Sequence, residues 1–136
     1  MVQTIIVLAA GMSSRMKSSS SSDIDSGKVE EANKKSKSLI TFGGKPFIYF
    51  LLKNISLAGF KNVVMVVGND FNEFKNQIDK LNLDESLNIS YSIQDIPNDR
   101  SKPFGTADAV YQTLQKNPKL INKSFCVCNS DNLYSV

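Results

Sequence analysis

The chain has 136 residues and a net charge of +3 at pH 7, with 41% hydrophobic and 21% charged residues. These values are typical of one globular domain and lack the strongly basic bias of a nucleic-acid-binding protein, so we expect no nucleic-acid partner. The sequence contains no histidine, which excludes hydrolases that depend on a histidine base and metal sites built from histidine ligands.

The chain begins with a short apolar segment. Residues 2–9 are rich in β-branched side chains, a pattern that predicts a strand buried on both faces. The segment is too short for a membrane span, which needs about 20 apolar residues, and no basic leader precedes it. We therefore expect a cytoplasmic protein that does not contact a membrane.

A polar segment follows this strand. Residues 18–36 are dominated by serine, lysine and acidic side chains, which cannot bury enough apolar surface to fold tightly. We interpret them as a surface insertion that is poorly ordered without ligand.

Regular structure is predicted to return near Leu39. Gly43 and Gly44 indicate a turn, and Pro46 suits the first position of a helix, where its missing N–H costs nothing. Apolar side chains then recur at helical spacing until Gly59, which predicts the end of the helix. The predicted buried positions are Ile48, Leu51, Leu52 and Ile55.

A second buried strand and a second helix come next. Residues 63–67 predict the strand, and Asp70 with Glu73 forms the pattern of a capping box at the start of the helix. The apolar stripe of this helix is Phe71, Phe74, Ile78 and Leu81.

Residues 89–94 alternate between apolar and polar side chains, which predicts a strand with Ile89, Tyr91 and Ile93 on one face. After a polar loop at residues 97–103, Thr106 is predicted to cap a third helix. The apolar stripe of that helix is Ala107, Val110 and Leu114.

Residues 125–128 predict a fourth main strand, in which Cys126 and Cys128 are two small buried side chains. Strands that alternate with helices predict an α/β fold, a three-layer α/β/α Rossmann-like arrangement with a mostly parallel sheet. In such folds ligands bind beyond the carboxyl ends of the strands. Three polar clusters follow strands of this chain at those ends.

The first cluster is the segment 8–16, Leu-Ala-Ala-Gly-Met-Ser-Ser-Arg-Met. Small residues directly after a strand allow the backbone to approach a ligand, and exposed N–H groups can bind phosphate oxygens. Arg15 offers a planar fork of donors that suits a polyphosphate. From the residues alone, a phosphate-binding loop and an ordinary turn both fit.

Residues 8–16 resemble the signature loop of the nucleotidyltransferase superfamily, which includes sugar-1-phosphate, molybdenum-cofactor and alcohol-phosphate nucleotidyltransferases. The resemblance implies that Arg15 holds the phosphates together with a family lysine, which Lys37 matches in its context before Ser38-Leu39. Ser36 stands where the family often has proline, and the alternatives for this lysine are Lys17, Lys34 and Lys35. The nucleotide-binding residues implied for the loop are Leu8, Ala9, Ala10, Gly11, Met12, Ser13 and Ser14.

The segment Gly44-Lys45-Pro46 matches a turn of the family, and we interpret Lys45 as a solvated turn lysine.

The second cluster is Gln94 with the segment 105–110, Gly-Thr-Ala-Asp-Ala-Val. Alone, this segment fits a helix cap with small packing residues. The resemblance implies instead that Gln94 and Gly105 contact the nucleotide base and that Thr106 is also nucleotide-binding. The segment looks most like that of the branch that acts on hexose phosphates.

The third cluster is the segment 129–132, Asn-Ser-Asp-Asn. A carboxylate at the end of a buried strand, beside a phosphate-binding loop, suits Mg²⁺, although Asp131 alone also fits a turn residue. The resemblance implies that Asp131 binds the magnesium ion.

The resemblance implies that a phosphate oxygen of an acceptor attacks the α-phosphorus of a nucleoside triphosphate and releases pyrophosphate. That oxygen is already ionised near neutral pH, which agrees with a chain that lacks histidine. The acceptor implied is a sugar 1-phosphate. A cytidylyltransferase for an alcohol phosphate such as phosphocholine, a non-catalytic nucleotide-binding domain and a fragment of a Rossmann-type dehydrogenase are the alternatives.

The resemblance covers the whole chain but only about the first half of such an enzyme, so we expect residues 1–136 to be its nucleotide-binding half. We expect such a fragment to bind nucleotide and to turn over poorly. The sequence leaves the base, the acceptor and the oligomeric state open.

Overall fold

A computed structural model describes residues 1–10, 39–69, 71–83 and 87–135. The predicted insertion at 18–36, the loop residues from Gly11 to Arg15, Lys37 and the capping residue Asp70 lie outside the described residues.

Four parallel strands form the central sheet. They are β1 (Thr4–Leu8), β4 (Asn62–Val67), β5 (Asn88–Ile93) and β6 (Cys126–Asn129), in the spatial order β5-β4-β1-β6. Helices pack on both faces of this sheet, so the predicted α/β fold with a mostly parallel sheet is confirmed.

A short hairpin precedes the first helix. Its strands are β2 (Thr41–Phe42) and β3 (Lys45–Pro46), which pair antiparallel. The predicted turn between them is confirmed, since Gly43 and Gly44 have φ values of 55° and 80°, a conformation that glycine adopts without strain. Lys45 is exposed, as predicted, and its Nζ lies 4.8 Å from the centre of the Tyr49 ring.

Helix α1 (Phe47–Leu57) buries the four apolar positions that the sequence predicts. Pro46 is the N-cap and not the first helical residue, a shift of one position. Gly59, at φ 90°, follows the C-cap Ala58, which confirms the predicted end of the helix.

Helix α2 (Phe71–Asp79) buries Phe74 and Ile78. Leu81 is buried just beyond the helix, and Phe71 is half-buried against the ring of Tyr91, with ring centres 5.3 Å apart. The predicted stripe is therefore confirmed, although its last member lies outside the helix.

Helix α3 (Thr106–Lys116) differs from the prediction in two respects. Its N-cap is Gly105, with no side-chain capping bond, so Thr106 is the first helical residue and not the cap. It buries Ala109 and Thr113 and not the predicted apolar stripe. The Thr113 hydroxyl donates to the carbonyl of Ala109 at 2.8 Å, and this bond allows a polar side chain to occupy the buried face. A 3₁₀ turn (Pro118–Leu120) follows.

The two cysteines do not form the buried pair that we predicted. Cys128 is half-buried against the core, but Cys126 is exposed. β6 is the outermost strand of the described sheet, so its first residues have a neighbouring strand on one side only. Similarly, Ile93 is 37% exposed at the end of the other outer strand, β5.

Among the described helices, none has the length and apolar character of a membrane span.

Candidate nucleotide-binding site

Backbone hydrogen bonds join the carboxyl ends of the four strands. The N–H of Ala9 donates to the carbonyl of Val66 at 2.8 Å, and that of Gln94 donates to Val67 at 2.8 Å. On the other side, the N–H of Ser130 donates to the carbonyl of Leu8 at 3.0 Å. The described parts of the three predicted clusters therefore lie at one edge of the sheet.

The strand order also makes this edge a candidate ligand site. From β1 the chain proceeds to β4 and then β5 on one side, whereas β6 lies on the other side of β1. The direction of winding therefore reverses between β1 and β6, and a crevice forms at such a point in open α/β sheets. Leu8 and Asn129 are the paired residues of β1 and β6 at this end of the sheet.

Small residues continue the chain from β1. Ala9 is 5% exposed and packs in the core, and Ala10 is half-buried. The rest of the predicted phosphate loop and Lys37 lie outside the described residues, so their roles stay predictions.

The structure brings Gln94 and Gly105 together, as the sequence predicts for two residues of one base site. The side chain of Gln94 is 3% exposed. Its Nε2 donates to the carbonyl of Gly105 at 3.2 Å and to Oδ2 of Asp108 at 2.8 Å. A buried amide with both donors paired has a fixed orientation.

Gly105 has a backbone conformation that excludes other residues. Its φ of 117° and ψ of −163° fall in a region that is essentially restricted to glycine. No described atom lies within 4 Å of the position that a Cβ would take. The backbone conformation therefore requires this glycine, and the space in front of it is open. Thr106 is exposed beside this space.

A polar network behind Gln94 was missed at the sequence level. The side-chain oxygen of Gln112 accepts from the N–H of Asp95 at 2.8 Å, and its Nε2 donates to the Asp95 carbonyl at 3.1 Å and to Oδ2 of Asp108 at 2.9 Å. Lys116 donates to the Asp95 carboxylate at 2.6 Å. The available signal was the four-residue spacing of Asp108 and Gln112, which places them on one face of a helix.

The segment after β6 carries Asp131. Ser130 is 7% exposed, whereas Asp131 is exposed in the turn. The hydroxyl oxygen of Tyr134 accepts from the N–H of Asn129 at 3.3 Å, and the Tyr134 carbonyl accepts from Nδ2 of Asn54 at 3.1 Å. These bonds tie the segment to the strand and to α1.

The described residues contain no cluster of three or more histidine, cysteine, aspartate or glutamate side chains that could hold a metal ion. One exposed carboxylate, Asp131, is the donor available at the end of β6. Mg²⁺ commonly binds one or two carboxylates and completes its coordination with phosphate oxygens and water. This donor set fits a magnesium ion that arrives with a nucleotide.

Cys128 lies on β6 but is poorly suited to act as a ligand or nucleophile. Burial, together with the neighbouring thiol of Cys126, raises the pKa of Cys128 to about 11. Because a thiol binds metals or attacks electrophiles as its thiolate, the raised pKa disfavours both roles for Cys128 near neutral pH.

A family comparison agrees with this geometry. Residues 5–131 match the MobA-like NTP transferase domain. The match covers most of the chain, and the chain belongs to this family.

Solved structures of nucleotidyltransferases share the fold. HddC from Yersinia pseudotuberculosis is 20% identical with a TM-score of 0.69, over 99% of this chain and 50% of its own. A UDP-glucose pyrophosphorylase in complex with UDP-glucose is 18% identical with a TM-score of 0.67, over 96% and 46%. The inositol-1-phosphate CTP transferase from T. maritima is 18% identical with a TM-score of 0.61, over 98% and 45%.

No curated protein sequence matches this chain. The chain spans about half the length of the solved structures that share its fold.

Proposed function

We propose that this chain is the nucleotide-binding part of a nucleotidyltransferase that transfers a nucleoside monophosphate from a nucleoside triphosphate to a sugar 1-phosphate and releases pyrophosphate. The observation that carries the proposal is the meeting of three strand ends at one edge, with Gln94 bonded to Gly105 on one side and Asp131 on the other. Membership of the MobA-like NTP transferase family supports the same reaction class.

The proposed site divides into a base region and a phosphate region. Gln94, Gly105 and Thr106 lie at the carboxyl end of β5 and would contact the base. Residues 8–14 would contact the nucleotide through small side chains and backbone N–H groups. Arg15 and Lys37 would hold the triphosphate.

The proposed reaction requires no general base, because the attacking phosphate oxygen of the acceptor is already ionised. A bond forms between this oxygen and the α-phosphorus, and the bond from the α-phosphorus to the pyrophosphate oxygen breaks. Arg15 and Lys37 would position the triphosphate and stabilise the negative charge that develops on it. Asp131 would hold Mg²⁺, which supplies further neutralisation of charge on the phosphates.

The test is calorimetric titration of the protein with nucleoside triphosphates in the presence and absence of magnesium. Arg15→Ala should weaken triphosphate binding by about 1.5–3 kcal/mol, the usual cost of a lost hydrogen bond to a charged group. Asp131→Asn should weaken binding only when magnesium is present, because it removes the charge and keeps the shape.

Lys61→Ala is the matched control. Lys61 is an exposed cation at the amino end of β4, the opposite end of the sheet from the proposed site, and its loss should leave affinity unchanged. If Arg15→Ala binds as tightly as the unmodified protein, the phosphate role of this loop is wrong. Binding that is equally tight without magnesium would favour a non-catalytic nucleotide-binding domain.

A further inference from the structure

We propose that Asp108 and Gln112 are positioning residues that fix the orientation of the Gln94 amide, and that they thereby make the site prefer nucleotides with a keto base, uracil or guanine, over those with cytosine or adenine. This inference rests on the proposed function, because it assumes that Gln94 contacts the base of a bound nucleotide.

The argument begins at Gln112, whose orientation is set by the backbone. Its amide pairs with both backbone groups of Asp95, accepting from the N–H at 2.8 Å and donating to the carbonyl at 3.1 Å. A backbone N–H can only donate and a carbonyl can only accept, so the oxygen and nitrogen of Gln112 cannot exchange places. Its second N–H therefore points to Asp108, at 2.9 Å.

Gln112 holds the Asp108 carboxylate in place, and this carboxylate orients Gln94. The same carboxylate oxygen, Oδ2, accepts from Gln112 and from Nε2 of Gln94, the latter at 2.8 Å. The other acceptor near Nε2 of Gln94 is the carbonyl of Gly105, at 3.2 Å. A carboxylate oxygen and a carbonyl oxygen accept hydrogen bonds, so the amide nitrogen of Gln94 must face them.

These bonds use both N–H donors of Gln94. A glutamine amide has two donors on nitrogen and one oxygen acceptor, so its oxygen is the group left for a ligand. The side chain is 3% exposed, and water therefore cannot readily compensate for a mismatched partner. Gln94 should act towards a base as an acceptor alone.

The Gln94 oxygen would meet the base at the centre of its pairing edge, and an acceptor at this position distinguishes the bases. Uracil and guanine carry an N–H at this position, whereas cytosine and adenine carry a nitrogen lone pair. An acceptor opposite a lone pair makes no hydrogen bond and is repelled, and a site built around a hydrogen bond discriminates strongly against a ligand that lacks the matching group. We expect UTP and GTP to bind at least about 10-fold more tightly than CTP and ATP.

The first experiment titrates the unmodified protein with the four magnesium nucleotides and with inorganic tripolyphosphate, which has no base. Asp108→Leu removes the acceptor and frees the Gln94 amide to rotate. The preference for keto bases should then fall below about 3-fold, while tripolyphosphate should bind as before, since the phosphate region is unchanged. A purely structural defect would weaken both ligands.

Asp108→Asn is the conservative counterpart. Gln112 is oriented by the backbone and still requires an oxygen at the position of Oδ2, so the new amide should place its oxygen there. The preference should survive in this variant. Asp99→Leu is the matched control, because Asp99 is an exposed aspartate of the neighbouring loop, and it should also keep the preference.

Equal affinity for the four nucleotides in the unmodified protein would overturn this inference and leave the proposed function standing. A preference that persists in Asp108→Leu would overturn the role of Asp108 alone. If Asp108→Leu does not fold, Asp108→Ala, which also removes the acceptor, serves in its place and should reduce the preference in the same way. Absence of binding by all four nucleotides and by tripolyphosphate would overturn the proposed function and this inference together.

Discussion

The two faces of the sheet differ in what they bury. On the face covered by α1 and α2, fifteen described residues form one apolar cluster, which includes Met65, Phe74 and Leu52. On the face covered by α3, the corresponding cluster has four described members, Ile6, Val64, Val66 and Ala109.

The second face is also the more polar one. The buried polar side chains Ser92 and Thr113 lie there, and Gln94 continues the same face beyond β5. The comparison teaches that the first face supplies most of the apolar stabilisation, whereas the second face orders polar groups at the carboxyl edge of the sheet.

The largest effect should come from the first face. Phe74 is 0% exposed within the large cluster, and Phe74→Ala should lower the free energy of unfolding by about 3–5 kcal/mol because it leaves a cavity. Urea denaturation measures the change. Phe104→Ala is the same substitution at a side chain that is 59% exposed, and it should cost less than about 1 kcal/mol. Similar losses in the two variants would contradict the assignment of stability to this core.

A smaller effect on the same face should depend on pH. Burial, with a lesser contribution from the charge of Asp79, raises the pKa of Tyr91 from 10.0 to about 12. A raised pKa means that the folded state favours the neutral phenol. The stabilisation is complete below pH 10 and is lost as the pH rises towards 12. Because the side chain is partly exposed, we expect a loss of about 1 kcal/mol.

Urea denaturation at pH 8, 10 and 11.5 tests this sign. Tyr91→Phe cannot ionise, so its free energy of unfolding should fall less than that of the unmodified protein over this interval. Parallel pH profiles for the two proteins would show that Tyr91 does not contribute.

The smallest effect should come from the second face. The hydroxyl of Ser92 is buried and has no hydrogen-bond partner among the described residues, so Ser92→Ala should be neutral or stabilise the fold by up to about 1 kcal/mol. Thr113→Val removes a paired hydroxyl and should instead destabilise by about 1 kcal/mol or less. Thermal unfolding compares the two variants. A clear loss of stability in Ser92→Ala would contradict this prediction.

The same contrast explains what the sequence could predict. Apolar periodicity identified the buried positions of α1 because those positions pack against an apolar face. It chose the wrong stripe on α3, where the buried face includes Thr113. It also placed Cys126 in the core, because periodicity does not tell an outer strand from a central one.

Of the contacts in the candidate site, the sequence indicated one and missed the others. The approach of Gln94 to Gly105 follows from a family pattern that the chain retains. The bonds of Gln112 to Asp95 join residues 17 positions apart, and such pairings depend on the folded geometry and not on local spacing. The roles of Arg15, Lys37 and Asp131 stay predictions.

The carbonyl of Gly105 accepts two hydrogen bonds, one within helix α3 and one from the proposed base region. It accepts the N–H of Ala109 at 3.0 Å, the first turn of α3, and it also accepts Nε2 of Gln94. Unwinding of that turn would move the carbonyl and release one of the two bonds that hold the Gln94 amide. The first turn of α3 and the proposed base region are therefore thermodynamically linked. A ligand that binds only the ordered amide would stabilise that helical turn by the same free energy with which the turn stabilises the binding.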